Sequence, residues 1–354
     1  MKTTLKTAEA KRKRIRMIIL LLFVLLLGIA ILAGYRIFNK IMKPNVSTPD
    51  KKDFSLYIPT DADFNRVKDS LYLHQLIDNP SSFEWVANKK DYPSHIRPGH
   101  YLVKDGMSNL QIVNMLRGGM QTPVKVTFNN TRDIYQLAGK IGTQIEADSL
   151  EIVQYLTHSD SIRAWGFNAQ TLPALFLPNT YEFYWNTNAE KFVNKMKHEY
   201  DKYWNEERLE KAKQLKLKPI EVSTLASIVD KETNKTDEMA RIAGVYLNRL
   251  NSGWLLQADP TLVFASKDFE LKRILNVHKE IESPYNTYKY TGLPPGPICI
   301  PSLASINAVL NAEKHNYYYF CAKDDFSGYH VFAKTLTEHN RNAQAYHRAL
   351  GGRS

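Results

Sequence analysis

The sequence predicts an α+β protein that carries one transmembrane helix at its N-terminus. Met17–Tyr35 is a run of nineteen residues without a charge, and at about 1.5 Å per residue such a helix nearly spans a bilayer core of about 30 Å. Beyond it, short stretches with strand-like alternation stand among longer stretches with apolar residues at helical spacing. No internal repeat or low-complexity tract interrupts this mixture, so strands and helices are expected to share the same domains.

The termini of the apolar run predict how the chain sits in a membrane. Lys11–Arg14 and Arg16 precede the run, and the fewer cations Arg36, Lys40 and Lys43 follow it. Positive charge concentrates on the cytoplasmic side of membrane helices. We therefore expect a cytoplasmic basic tail over 1–16, a single-pass helix over 17–38 and an extracytoplasmic remainder. A cleaved signal peptide remains the alternative, since small residues lie near the end of the run.

Residues 39–53 are polar and contain prolines, which is typical of a tether. After it we expect a strand at Phe54–Pro59, helices at Asp63–Ile77 and Ser82–Lys89, and a turn into a strand at Ile96–Val103. A short helix should follow at Asn109–Arg117, because Gly118 and Gly119 form a strong stop.

A second part begins with a predicted strand at Val124–Phe128 and a helix at Ile134–Ile141. A long helix is expected over Ala189–Leu209, with core positions at Phe192, Met196, Tyr200 and Trp204. Pro219 then opens a helix that runs to Glu232, since proline suits the first turn.

Glu232 occupies a position of that helix where an apolar residue is expected. Leu225, Ile228 and Val229 recur at helical spacing and mark its core-facing stripe, whose continuation arrives at Glu232. A partly desolvated carboxyl group has a raised pKa and can act as a general acid near neutral pH. The alternatives are a glutamate that turns out to solvent at the helix end and a structural ion pair.

Several blocks resemble one enzyme family in their order along the chain. The first, Leu225–Thr233, reads LASIVDKET and resembles that family's LASIVEKET signature. Further similar blocks follow over about 115 residues: Val245–Leu250, Leu256–Leu262, Tyr285–Tyr288, Gly292–Ile298, Tyr317–Phe320 and His330–Asn340. Together they resemble the YceG-like (MltG) family, the endolytic murein transglycosylases.

The resemblance implies a membrane-anchored lytic transglycosylase that cuts peptidoglycan between MurNAc and GlcNAc and leaves 1,6-anhydro-MurNAc ends. It implies that Glu232 is the catalytic acid and base, that no cofactor is needed, and that nascent strand length is limited beside the elongation or division synthases. It also implies a LysM-like subdomain over 54–123 and a catalytic domain over 124–354, although the order of elements in 54–123 departs from the compact βααβ of LysM. A hydrolytic muramidase and a non-enzymatic glycan-binding scaffold are the rival functions.

The other blocks contain candidate substrate-binding residues. Their side chains can hydrogen-bond sugar hydroxyls or stack on pyranose faces: Asn248, Gln257, Asp259, Tyr285, Asn286, Tyr288 and Asn340. For each, a polar group that braces a turn is the alternative. Asp259 is expected to cap a turn or helix, or else to serve as a second catalytic carboxylate.

The net charge, the histidines and the cysteines limit which partners, metals and disulfides are expected. The net charge is +11, and such a surface suits nucleic acid, anionic lipid or an acidic polymer; an extracytoplasmic location argues against nucleic acid. The spacing of His330 and His339 fits no zinc motif, so no metal is expected. Cys299 and Cys321 cannot form a disulfide framework, but they could pair with each other.

Overall fold

The structure is a computed structural model that describes residues 2–271 and 273–351. It divides into two compact units. Unit 1 contains the described residues up to Pro123 together with Tyr184–Asn186, and unit 2 contains Val124–Phe183 and the described residues from Thr187 onward.

Unit 1 builds a small core from one antiparallel strand pair and the helices around it. Its elements are α1 (Lys2–Met42), β1 (Phe54–Ile58), α2 (Phe64–Leu73), α3 (Pro80–Lys89), β2 (Gly99–Val103) and α4 (Asn109–Arg117). Strands β1 and β2 pair with Phe54 opposite Val103. Helix α4 has the predicted bounds, because a capping box between Ser108 and Gln111 fixes its start.

The order β1–α2–α3–β2 is a βααβ arrangement. The expectation that this part departs from the LysM order is therefore wrong. The predicted strands and helices already had this order, and the structure changes only the end of the first helix, which lies at Leu73 rather than Ile77. The residues after Leu73 turn, and Leu76 and Ile77 then reach the core by a different route from a continued helix.

Helix α1 contains the predicted apolar span. Its segment Lys11–Met42 is long and apolar enough to cross a membrane. The large apolar side chains from Met17 to Tyr35 are exposed in the protein itself, so no protein core covers them. This helix fits a single-pass membrane anchor.

The expected tether at 39–53 is instead packed into unit 1. Helix α1 continues to Met42, and Val46 is 2% exposed and bridges to Ile77. The buried Asn109 amide donates to the Lys40 carbonyl at 2.9 Å and accepts from Asn45 at 2.7 Å. Burial of Val46 and these amide bonds outweigh the prolines and polar composition that suggested a free linker.

Unit 2 holds two antiparallel strand pairs and a helical core. Its strands are β3 (Val124–Phe128), β4 (Asn179–Phe183), β5 (Tyr319–Ala322) and β6 (His330–Ala333), and β3 pairs with β4 while β5 pairs with β6. Its helices are α5 (Ile134–Gly142), α6 (Ser149–His158), α7 (Asp160–Ala164), α8 (Ala189–Tyr203), α9 (Glu206–Gln214), α10 (Pro219–Glu232), α11 (Met239–Asn251), α12 (Asp259–Ser266), α13 (Asn276–Lys279), α14 (Leu303–Leu310) and α15 (Leu336–Gly351).

The long helix expected over Ala189–Leu209 is two helices. Helix α8 ends at Tyr203, and the Asn205 side chain then accepts from the Arg208 amide to begin α9. An N-cap asparagine favours a new helix over continuation. The four predicted core positions are buried as expected, from Phe192 to Trp204.

The two cysteines are free thiols in the structure. Cys299 is buried against α10, with its sulfur 3.7 Å from the Ser227 carbonyl oxygen, whereas Cys321 lies in β5. The pairing considered from the sequence is therefore wrong, since the two residues belong to different parts of unit 2.

Candidate functional site

Helix α10 is the buried centre of unit 2, and Glu232 is its last residue. Leu225, Ile228 and Val229 are fully buried, as the stripe predicts. Helices α11, α12 and α14 pack around α10. Glu232 is half-buried, and it lies where this packing opens into cavities. The apolar stripe of α10 therefore ends in a carboxyl group that lies at the edge of the core and not in bulk solvent.

The surroundings of Glu232 give it an unusual acidity. Desolvation is the largest influence and raises the pKa, the Tyr246 hydroxyl lowers it, and the charge of Asp259 raises it. The result is a pKa of about 7, compared with an ordinary value of 4.5. Near neutral pH both the acid and the carboxylate are therefore populated, which a group that donates and then accepts a proton requires.

Tyr246 on α11 is the direct partner of Glu232. Its hydroxyl donates to Glu232 Oε1 at 2.5 Å. Burial raises the pKa of Tyr246 well above its usual range, and the neighbouring Glu232 raises it further. Tyr246 consequently stays protonated and acts as a fixed donor that orients the carboxyl group.

Arg249 lies one helical turn after Tyr246 and binds the backbone of two other segments. It is buried, and its guanidinium donates to the carbonyls of Tyr318 at 2.8 Å and Leu256 at 2.5 Å. It also lies 5.9 Å from the centre of the Tyr246 ring. Its positive charge lowers the pKa of Glu232, so it opposes part of the desolvation.

Asp259 does not cap its helix. It is the first residue of α12, Ala258 holds the cap position, and no side-chain cap bond is made there. Asp259 Oδ1 instead accepts the Tyr288 hydroxyl at 2.5 Å. The expected capping role is therefore wrong, because the hydroxyl of Tyr288, in a loop distant in sequence, binds the carboxylate.

Glu232 lines three of the cavities formed by the described residues. The Tyr288 cavity, about 400 Å³, is lined by Glu232, Tyr246, Gln257, Asp259 and Tyr288, together with Arg249 and His339. The Tyr329 cavity, about 570 Å³, lies between residues 231–235 and the β5–β6 hairpin. The Phe264 cavity, about 640 Å³, shares Glu232 and Asp259 with the first.

Four of the predicted site residues thus meet in the Tyr288 cavity: Glu232, Gln257, Asp259 and Tyr288. Tyr285 does not join them. It is buried against the ring of Phe264, at 4.6 Å between centroids, and lines the neighbouring Phe167 cavity of about 450 Å³.

The predicted asparagines brace loops. Asn248 Nδ2 donates to the carbonyls of His315 and Tyr317, both at 2.9 Å. Asn286 is fully buried and donates to the carbonyls of Lys279 and Ile281, so the expectation that it contacts substrate is wrong. Asn340 is exposed on α15 and is not among the described residues that line the cavities at Glu232.

Sequence reasoning missed a polar cluster beside Glu232. Asp230 is 9% exposed and accepts from Asn130 at 2.8 Å and Ser302 at 2.5 Å. These partners lie 100 and 72 residues away, so no local signal identified them. Tyr246 and Arg249 were also missed, although both belong to the recognised block Val245–Leu250.

The hairpin that covers the Tyr329 cavity is fixed by a buried acid. Glu238 is 4% exposed and accepts from the His330 backbone at 2.8 Å and from its Nδ1 at 2.7 Å. In the described ranges 2–271 and 273–351, no group of three or more His, Cys, Asp or Glu residues could hold a metal ion.

The chain is similar to a known protein family and to several of its members. A model of the YceG-like family matches residues 56–345. An endolytic murein transglycosylase of Bacillus subtilis is 28% identical over 332 residues, covering 89% of this chain and 91% of that protein. One of Streptococcus pneumoniae is 27% identical over 91% of this chain, which spans only 63% of the pneumococcal protein.

A solved structure has the same fold. The 2.6 Å crystal structure of a YceG-like protein from Listeria monocytogenes is 26% identical. It superposes with a TM-score of 0.55 and covers 82% of this chain and 99% of that chain.

Proposed function

We propose that this chain, which belongs to the YceG-like family, is a lytic transglycosylase that cuts peptidoglycan strands internally between MurNAc and GlcNAc. The observation that carries the proposal is Glu232 at a cavity edge, with a pKa of about 7 and a fixed Tyr246 donor. The names of the Bacillus and Streptococcus relatives support the same activity.

Glu232 would serve in both halves of the reaction. Protonated Glu232 gives its proton to the glycosidic oxygen as the bond from that oxygen to C1 of MurNAc breaks. The resulting carboxylate then takes the proton of the 6-hydroxyl of the same sugar as O6 bonds to C1. A 1,6-anhydro end forms, no water is consumed, and Glu232 returns to its protonated state.

The shape of the site supports cleavage within a strand. The Tyr288 and Tyr329 cavities share Glu232, and no other lining residue in the described chain is common to both. A glycan that passes Glu232 can therefore occupy one cavity with each side of the scissile bond. Tyrosine and amide side chains line both cavities, and such groups suit pyranose faces and hydroxyls.

Asp259 gives a specific reason to consider a second candidate, a hydrolytic muramidase. Hydrolases of glycosidic bonds generally use two carboxylates that flank the bond. Asp259 lines two of the same cavities as Glu232. In that mechanism water would enter at C1 and leave a reducing MurNAc end.

Product analysis in ¹⁸O-water separates the candidates. The detergent-solubilised protein would be incubated with nascent, uncross-linked peptidoglycan, and the new ends would be analysed by mass spectrometry. A transglycosylase yields anhydro ends without ¹⁸O, and a muramidase yields reducing ends that carry one ¹⁸O.

Two variants complete that experiment. Glu232→Gln should reduce the rate by at least about 10²–10⁴-fold, as for loss of a general acid–base. Glu190→Gln, an exposed carboxylate in the first turn of α8, is the matched control and should retain activity. Binding of glycan without cleavage by the unmutated protein would favour the scaffold alternative.

The proposed location follows from the N-terminal helix. The apolar segment within Lys11–Met42 would anchor the chain once in the cell membrane, with the basic tail in the cytoplasm and the residues after the helix outside. There the protein would meet nascent strands beside the synthases and limit their length. Residues 54–123 would be the LysM-like subdomain and 124–354 the catalytic domain.

Fractionation tests the anchor. The protein should stay with membranes after alkaline washing, and external protease should reach residues beyond about 45. A soluble chain that begins near residue 35 would refute the anchor and establish a cleaved signal instead.

A further inference from the structure

The site has more room than a linear glycan needs. The Tyr288 and Tyr329 cavities suffice for a strand that passes Glu232, yet the Phe264 cavity opens at the same residue. This third cavity adjoins the Phe167 cavity, because Arg132 and Phe264 line both. The two cavities have volumes of about 640 and 450 Å³.

The Phe264 cavity differs from the Tyr329 cavity in its apolar lining and not in its cations, because Lys231 lines both and Lys235 and Lys323 also line the Tyr329 cavity. Arg132, Lys231 and Arg273 line the Phe264 cavity, and we call these three residues the basic branch. Its floor is apolar and includes Val263, Phe264, Phe269 and Ile298. Cations over an apolar floor suit an acidic chain with small apolar side groups better than a neutral sugar.

Arg132 is held ready for an anion. Its Nε donates to Asp133 Oδ2 at 3.0 Å, and its guanidinium lies 4.4 Å from the centre of the Phe269 ring. These contacts orient the guanidinium group, and among the described residues its terminal nitrogens make no hydrogen bond. Lys231 and Arg273 take part in none of the ion pairs among the described residues.

We propose that the basic branch binds the acidic peptide stem of the MurNAc residue at the scissile bond. This inference rests on the proposed function and deepens it. Each MurNAc can carry, through its lactyl group, a short peptide with free carboxylates, and that peptide is the only branch on an otherwise linear strand. The Phe264 cavity, which Glu232 also lines, is where this peptide would lie beside the strand.

The consequence is a preference for peptide-bearing glycan. A charge-assisted hydrogen bond to a carboxylate in a partly exposed site changes affinity by about tenfold. Peptide-bearing strands should therefore be cut with a kcat/KM about tenfold higher than the same strands after an amidase has removed their peptides. The preference should shrink at high salt, because the contacts are ionic and partly exposed.

The test compares these two substrates with the full-length protein in detergent. Arg132→Gln should bring the ratio of the two kcat/KM values toward one, and Lys202→Gln, an exposed lysine on α8, should leave the ratio as in the unmutated protein. The ratio cancels any general effect of the substitution on folding or on the acidity of Glu232. Equal cleavage of both substrates by the unmutated protein, or an unchanged ratio in Arg132→Gln, overturns the proposal.

Binding to the Glu232→Gln variant keeps the inference separate from the proposed function. Tighter binding of peptide-bearing than of stripped strands, lost in Glu232→Gln with Arg132→Gln, supports the basic branch even if the unmutated protein cleaves neither substrate. Cleavage of both substrates at equal rates would leave the proposed function intact and refute the basic branch alone.

Discussion

Replacing Tyr246 by phenylalanine is the most direct test of how the site sets the acidity of Glu232. The substitution removes only the hydroxyl that donates to Glu232 Oε1 at 2.5 Å. The ring stays in its buried position on α11, where it contacts Phe320 edge-on at 5.9 Å. Any change in pH dependence therefore reports the hydrogen bond and not a repacked wall.

The sign and size of the effect follow from the site. The Tyr246 hydroxyl stabilises the ionised form of Glu232, so its removal raises the pKa further above about 7. A hydrogen bond to a charged group contributes about 1.5–3 kcal/mol, and about 1.36 kcal/mol corresponds to a pKa change of one. Water in the adjoining cavity can replace part of the bond, so we expect the lower end, with a pKa of about 8.

The assay is the pH profile of kcat/KM for release of new glycan ends, from about pH 5 to about pH 10, which reports the free enzyme. Because the acid step needs protonated Glu232, the basic limb should move upward by about one pH unit in Tyr246→Phe. Tyr200→Phe, a buried tyrosine of the α8 core, should leave the limb in place. A limb that is unmoved or shifted downward in Tyr246→Phe would refute Glu232 as the acid whose pKa this hydrogen bond lowers.

Three further predictions concern charge and stability in the same region. Above pH 7, Glu232→Gln should be more stable than the unmutated protein by up to about 3 kcal/mol in urea unfolding, because the raised pKa makes the ionised carboxylate costly in the folded state. The difference in stability should vanish below about pH 4.5. A difference that is constant with pH would contradict this. Asp259→Asn should move the basic limb of the activity profile downward, opposite to Tyr246→Phe, since the Asp259 charge raises the pKa of Glu232; an upward movement would disprove that coupling. Asp230→Asn should lower the free energy of unfolding by about 1–3 kcal/mol, because Asn130 and Ser302 donate to different oxygens of Asp230 and asparagine keeps only one of them. An unchanged thermal midpoint would show that the cluster contributes little.

The sequence by itself determined the features that depend on neighbouring residues. The apolar run Met17–Tyr35 exceeds what a small core can bury, so its helix was evident. The bounds of Asn109–Arg117 follow from a capping serine and a glycine stop within the same segment. The stripe that leads to Glu232 likewise follows from helical periodicity alone, because the interior of a domain must be apolar on one face.

Local signals also misled where a tertiary contact outweighed them. Prolines and polar residues suggested a free tether at 39–53, but Val46 and the Asn45–Asn109 bond fix it to unit 1. The Asp-Pro-Thr sequence suggested a capping aspartate, but Tyr288 takes up the Asp259 carboxylate. In each case the deciding partner lies tens of residues away, where propensity and spacing carry no information.

Only the tertiary structure decided the chemistry of the site. Glu232 gains a pKa of about 7 from desolvation by surrounding elements, from Tyr246 on another helix and from Asp259 on a third. Periodicity could place the carboxyl group at the edge of the core, but electrostatic effects depend on distance in space and on the loss of water. The same holds for the basic branch, whose cations Arg132 and Lys231 lie 99 residues apart in the chain and meet only because the folded chain places them around one cavity.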